Sequence, residues 1–211
     1  MSKITLYDYW RSSASYRVRI ALNLAGLPFE TVSVDIFKGD HRLENNLKRN
    51  PQSFVPVINI DNQSFTQSLS IIEYLNETRG LDLLPKDHAK RAKVTALAYA
   101  IAIDIHPICN LSVSSYAEEI SGEENYKQKW MKKFIGPGLE AFEKLLEDFP
   151  KGSYSVGDTP SLPDICLIPQ IYNAMRWEVD IAHLSRINSI IQSCNKHPAF
   201  INAHPDFFKP S

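Results

Sequence analysis

Several absences narrow this chain before any motif is read. Its three cysteines, Cys109, Cys166 and Cys194, lie far apart and form no CxxC pair. An odd, scattered set argues against a disulfide framework and against a zinc site. The six histidines show no HExxH or similar ligand spacing, so no metal is expected. An excess of one charge is also missing. With 23 basic and 24 acidic residues the net charge is -1, and nucleic-acid binding would show a basic excess or stripe. The longest apolar run, 96–103, ends at Asp104; it is too short to span a bilayer and reads as a buried helix. MSKITLYDYW at the start lacks the apolar core of a signal peptide. A reduced, cytoplasmic chain with neither nucleic acid nor membrane as a partner is expected. Internal repeats and low-complexity segments are absent too.

At 211 residues and 44% hydrophobic, the chain can form one large domain or two small ones with separate cores. Its first 80 or so residues mix two periodicities. A strand at 3–9 leads into a helix over 14–25, with Val18, Ala21, Leu22 and Ala25 at helical spacing. Gly26 stops that helix and Pro28 follows. Residues 29–34 alternate as a strand, 41–49 form a short polar helix, and 55–60 and 64–66 read as strands around a turn at 61–63. A last helix carries Ile71, Ile72 and Leu75 and ends near Gly80. The order βαβ-α-ββα is that of a thioredoxin-like domain. Beyond a linker at 81–87, strand signals vanish, and 88–116, 123–149, 161–176 and 184–196 carry helical periodicity. The expected fold class is α/β plus all-α: a thioredoxin-like domain over 1–83 and a helical bundle over 88–211.

The stretch KITLYDYWRSSASYRVRIAL holds the first chemical signal. An apolar strand runs into serines that open an amphipathic helix, where hydroxyls and unpaired N–H groups can hold an anion. Arg11 and Arg17 add positive charge nearby. Taken alone, Ser12 or Ser13 is more simply a helix cap.

Two later features point the same way. Val55-Pro56 precedes a strand, where proline is tolerated because no ladder donor is lost. A cis bond there would present the Val55 backbone to a peptide ligand, although from residues alone a trans edge proline is favoured. Gln67-Ser68 stands at the next strand-to-helix junction, suited to a carboxylate or to a plain cap. Together the three favour one extended anionic peptide over three unrelated caps. Ser161-Leu162-Pro163-Asp164 fits a capping box, and its role is assigned to folding.

The motif SSASYRVRIAL resembles the zeta class of glutathione transferases, whose pattern is S-S-C-S-x-R-V-R-I-A-L. NPQSFVPV and QSLSIIEYL are similar to the family's glutathione-binding segments, and GDTPSLPDICL to its helical-domain capping region. The resemblance spans nearly the whole chain. Zeta-class members include maleylacetoacetate isomerase and the glutathione-dependent maleylpyruvate isomerase, enzymes of aromatic amino-acid and aromatic catabolism. The resemblance implies glutathione as cofactor, a homodimer, and Ser12 as hydrogen-bond donor to the glutathione thiolate. It further implies that Ser13, Arg17, His41, Val55, Gln67 and Ser68 hold the tripeptide, with His106 and Asn110 contacting it from the helical domain. Arg176 resembles a substrate-carboxylate arginine, with Arg11 as a second cation. A surface ion pair of Arg176 with Glu178 or Asp180 competes with that role.

The implied reaction is thiolate addition to a cis double bond of a conjugated keto acid, rotation, and elimination of the trans isomer. Conjugation or dehalogenation of small α-halo acids would use the same thiolate, and a non-catalytic binding module is the remaining alternative. Ala14 stands where the zeta pattern has cysteine. Any role needing a protein thiol at that position is therefore excluded, and the working sulfur must come from the ligand.

Overall fold

Strand β1 (Thr5–Asp8) is the one around which the first sheet assembles. It pairs in parallel with β2 (Glu30–Ser33) and antiparallel with β3 (Val57–Ile60), which in turn pairs antiparallel with β4 (Gln63–Thr66). The strand order is β2-β1-β3-β4. This computed structural model describes residues 3–210. Ile60 pairs with Gln63, so the β3–β4 turn is Asp61-Asn62 alone, one residue shorter than the sequence suggests. Both turn residues have positive φ, 52° and 59°, as a two-residue hairpin that matches strand twist requires.

Helices α1 (Ser13–Leu24) and α3 (Ser68–Arg79) pack against each other and contribute buried faces to the first unit. Val18, Ala21 and Leu22 from α1 join Ile71, Ile72 and Leu75 from α3 and Leu6 and Ile58 from the strands in the buried core. Gly26 takes φ 63°, the left-handed conformation that stops a helix at little cost in glycine. The polar segment before β3 holds a short 3-10 turn (Asp40–Arg42) and α2 (Glu44–Arg49).

The chain divides into two compact units, one taking the chain up to Leu81 and again from His197, the other being Asp82–Lys196. Residues from His197 onward, grouped with the helical domain in the sequence reading, therefore belong with the sheet. Side chains of α1 explain why. The Asn23 amide donates to the Ala199 carbonyl at 3.1 Å, and Arg19 Nε donates to that of Ala203 at 3.1 Å. This returning segment contains α9 (Pro198–Ile201) and a 3-10 turn (Pro205–Phe208) that periodicity does not reveal.

The second unit holds α4 (His88–Tyr99), α5 (Leu111–Ser121), α6 (Tyr126–Leu145), α7 (Leu162–Arg176) and α8 (Ser185–Cys194). The helical stretch expected over 88–116 is interrupted. Beyond α4 the backbone widens into a π-helical segment, Ala100–Ile105, and His106 N–H donates to the Ile101 carbonyl at 3.0 Å. Pro107 follows with no N–H to extend the ladder, and the Asn110 side chain caps α5 by accepting from Ser112 N–H at 3.3 Å. On α6, Gly138 lets Ile105 approach closely, since a Cβ there would stand 2.5 Å from Ile105 Cδ1.

The capping box at Ser161 forms and is extended. Asp164 is fully buried and accepts from the N–H and hydroxyl of both Ser155 and Ser161, at 2.6–2.8 Å. Burial pushes its carboxyl above the ordinary carboxylate range, against the pull of these four bonds. All three cysteines are buried free thiols, and burial pushes Cys109 up to about 12 and Cys194 upward as well. Neither of these two offers a reactive thiolate near neutrality.

Candidate active site

Strand register alone gathers three loops of the first unit. Tyr7 lies beside Val57, and Val57 beside Thr66. The exit of β1, the start of β3 and the exit of β4 therefore share one end of the sheet. From that end emerge Arg11 and Ser12, then Val55-Pro56, then Gln67 and Ser68.

Ser12 is the N-cap of α1. Its Oγ accepts from Ser15 N–H at 3.2 Å, and its carbonyl accepts from Tyr16 N–H at 2.9 Å. Accepting through a lone pair fixes the oxygen while its proton stays available to a ligand. Ser13 follows as the first helical residue and is buried. Arg11 is held among aromatic rings: its guanidinium carbon is 4.7 Å from the centre of Trp10 and 5.6 Å from that of Phe37. Its Nη2 donates to the Tyr9 hydroxyl at 3.0 Å. Such stacking suits a planar guanidinium and restricts its motion.

The bond Val55-Pro56 is cis, which corrects the trans geometry favoured from residues alone. Because β3 begins at Val57, the N–H and C=O of Val55 lie outside the sheet ladder. Gln67 has φ 65° at the junction into α3, an uncommon conformation for a residue with a side chain. Its amide donates to Gln52 at 2.9 Å, adding a residue that sequence reasoning missed. Ser68 is buried at the start of α3, and Arg17 Nη1 donates to its hydroxyl at 3.4 Å across 51 positions of sequence. Arg17 is thus a buried link between α1 and the start of α3.

His41 lies half-buried in the 3-10 turn, and its Nδ1 has no partner among the described residues. Burial first, then the Arg42 charge, lower its pKa below 6.5, with Asp40 opposing. A lowered imidazole pKa contributes stability above the ordinary value that is lost as pH falls through the folded value. The shift favours the neutral form of His41. An NMR titration should place its midpoint below 6.5, and Arg42→Ala should raise it; a midpoint above 6.5 would contradict this environment.

In the second unit, His106 and Asn110 share the short connection between the π-helical segment and α5. The Trp130 indole N–H donates to the Ile108 carbonyl at 3.0 Å and steadies that connection. Arg176 is the exposed last residue of α7, its guanidinium 6.0 Å from the Trp177 ring centre. Of the two carboxylates offered as its partners, Glu178 accepts from the Gln128 amide and lies 3.5 Å from Lys132. The other, Asp180, caps Ala182 N–H at 2.9 Å. Among the described residues no group of three His, Cys, Asp or Glu side chains could hold a metal ion. No described helix is long and apolar enough to cross a membrane.

Residues 6–82 match the family model described as glutathione S-transferase, N-terminal domain. Over 211 residues the chain is 51% identical to the maleylacetoacetate isomerase of Rhizobium meliloti, covering 99% of each chain. It also superposes, with a TM-score of 0.91, on the holo structure of a maleylpyruvate isomerase described as a bacterial glutathione S-transferase of the zeta class. That pair is 40% identical, with 95% of this chain and 96% of the other covered.

The chain belongs to the zeta-class glutathione transferase family.

A third relative bears on ligand chemistry. The maleylacetoacetate isomerase of Anaeromyxobacter dehalogenans 2CP-1 superposes with a TM-score of 0.83 at 33% identity, covering 98% of this chain and 97% of the other. Its crystal structure holds dicarboxyethyl glutathione and citrate in the active site. The zeta-class fold accounts for the thioredoxin-like sheet and the helical second unit. It also gives the Ser12 turn, the Val55 backbone and the α3 start of this transferase a common ligand to be tested against. These residues fit glutathione: a backbone edge outside the sheet ladder suits a peptide, a buried Arg17–Ser68 pair at a helix start suits a carboxylate, and a hydroxyl at a helix N-cap suits a thiolate.

Proposed function

We propose that this transferase is a glutathione-dependent cis–trans isomerase of maleylacetoacetate-type keto acids. The observation that carries the reading is Ser12, whose oxygen is fixed as a helix cap while its proton remains free to donate. Bound glutathione would supply a thiolate that adds to the cis double bond and, after rotation, leaves. The chain's part is to keep that sulfur ionised and the substrate aimed. A free thiol titrates at about 8.5, and Ser12 is too weak a base to take its proton. A directed O–H bond, the N-terminal end of α1 and the Arg11 charge stabilise the anion instead.

Val55, through its backbone, and Gln67, Ser68 and Arg17 hold the peptide, with Ser13 and His41 beside them. His106 and Asn110 are further glutathione contacts in this proposal, as the family resemblance implies. Arg11 and Arg176 pair with substrate carboxylate and with the enolate that develops as the sulfur adds. Support comes from the dicarboxyethyl glutathione held by the A. dehalogenans relative, which adds two carboxyl groups to those of glutathione itself. Arg176→Ala should raise the KM for the keto acid by about tenfold or more and leave that for glutathione unchanged; an unchanged keto-acid KM would return Arg176 to a surface role.

Maleylpyruvate is the second reading, supported by the superposition on a maleylpyruvate isomerase. Incubation with each keto acid and substoichiometric glutathione decides between them. Complete isomerisation with glutathione recovered supports the proposal, and the faster substrate names it. Stoichiometric consumption of glutathione would move the assignment to conjugation, and halide release from α-halo acids to dehalogenation. A cytoplasmic homodimer completes the proposal, resting on the family resemblance; sedimentation equilibrium at twice the 24.0 kDa chain mass is the expected result.

A further inference from the structure

The turn that presents Arg11 and Ser12 is held from behind by a buried arginine with no part in the chemistry above. Arg19 lies on α1 with a side chain that is 0% exposed. Its Nη1 donates to Asp8 Oδ2 at 2.5 Å, its Nη2 to the Trp10 carbonyl at 2.9 Å, and its Nε to the Ala203 carbonyl at 3.1 Å. One planar group thus joins the end of β1, the turn and the returning C-terminal segment. The Phe208 ring covers it at 4.4 Å, and Phe208 itself stacks on Phe29. Further along that segment, Lys209 Nζ stands 5.7 Å from the Trp10 ring centre.

The Trp10 carbonyl is a telling acceptor. Ser12 N–H donates to the Tyr9 carbonyl at 2.8 Å, closing a four-residue turn with Trp10 and Arg11 at its centre. In such a turn the central peptide, here Trp10 C=O with Arg11 N–H, faces one of two ways, and that choice separates type I from type II. Type II needs positive φ at Arg11, which is not among the positive-φ residues. Arg19 binds the carbonyl whose direction defines the choice.

We propose that Arg19 is a positioning residue: through the Trp10 carbonyl it sets the peptide plane ahead of Ser12, and so the aim of the Ser12 hydroxyl and the Arg11 guanidinium. The C-terminal segment clasps Arg19 in place. This role rests on the assignment of Ser12 as thiolate donor. A purely structural buried ion pair can often be exchanged for apolar side chains without harm, but apolar side chains cannot orient a carbonyl. Lysine keeps the charge and the bond to Asp8 yet lacks the planar fork that serves three acceptors at once. Arg19→Lys therefore separates charge from geometry.

The test compares wild type, Arg19→Lys, Phe208→Ala and Ser12→Ala. Melting curves establish that each variant is folded at the assay temperature. The ultraviolet absorbance of bound glutathione thiolate is followed against pH, together with kcat and KM. Arg19→Lys is expected to raise the bound thiol's pKa by about half a unit to one unit. Its kcat should fall about tenfold, with the glutathione KM held within about twofold. Phe208 is only half-buried, so Phe208→Ala keeps the core and should move both quantities the same way by about two- to threefold in kcat. A wild-type thiol pKa and kcat in folded Arg19→Lys overturn the proposal, even if its melting temperature falls. If Arg19→Lys does not fold, the same wild-type values in Phe208→Ala overturn it. A wild-type thiol pKa in Ser12→Ala overturns the thiolate assignment itself, a result separate from either of these.

Discussion

Replacing Ser12 with alanine is expected to lower kcat by about 10²- to 10³-fold, the size seen when one directed donor to a developing anion is removed. The glutathione KM should change little, because in the proposed site the peptide is held by Val55, Gln67, Ser68 and Arg17. A smaller second effect comes from the helix. Ser12 Oγ caps α1 through Ser15 N–H, so alanine also costs about 1 kcal/mol of stability. Threonine separates the two effects, since it keeps both cap and hydroxyl. Ser12→Thr should hold the melting temperature and recover most of the rate lost in Ser12→Ala. Full activity in Ser12→Ala would remove Ser12 from the chemistry and leave it a cap.

The second large effect is on folding. Asp164→Ala takes away the acceptor of four short hydrogen bonds in a fully buried setting. The N–H and hydroxyl groups of Ser155 and Ser161 would lose their partner where water does not reach, and each orphaned polar group carries a penalty of about 1–3 kcal/mol. Some relax toward other acceptors, so the expected loss is about 3–5 kcal/mol, a large part of the about 5–15 kcal/mol typical of a folded protein. For a chain of this length that corresponds to a melting temperature lower by about 10 °C. Asp164→Asn keeps one carbonyl oxygen but turns an NH2 toward groups that donate, and should lose about half as much. Thermal melts of the two variants check the order; a melting temperature for Asp164→Ala within 2 °C or so of wild type would show that the second unit does not depend on this hub.

Wherever a signal lies within a few residues, the sequence and the structure agree closely. The β1–turn–α1 opening appears as Thr5–Asp8 followed by Ser13–Leu24, because a serine cap acts on an N–H three residues away. The same short range explains why Gly26 ends α1 and why the Ser161 to Asp164 box opens α7. Disagreement begins where the deciding contact is distant. The Ser155 half of the Asp164 hub is nine residues away and carries no local mark. The break at 106–110 inside the expected 88–116 helix depends on a π-helical segment that packs beside Gly138 of α6. A proline in that break was visible, but apolar periodicity ran through it.

Arg17 and Arg19 show the same limit within one helix. Two positions apart, they stand about 200° apart around α1, on opposite flanks of the stripe of Val18, Ala21 and Leu22, and the burial of both is set by distant elements. From sequence, Arg17 reads as charge near an anion site; in the structure it reaches Ser68, 51 positions on. Arg19 reads as nothing in particular, yet it binds Asp8, Trp10 and Ala203, the last 184 positions away.

By itself, the sequence determined the kind of protein this is: a serine-capped strand-to-helix turn, a glutathione-transferase motif set, and no protein thiol at position 14. Those features rest on residue identity and on hydrogen bonds that close within a turn. Tertiary structure alone decided the cis geometry at Val55-Pro56, the return of the C-terminal segment to the first unit, and the buried fork behind Ser12. The return and the fork depend on groups that only the fold brings within hydrogen-bonding distance, and no local pattern encodes that distance.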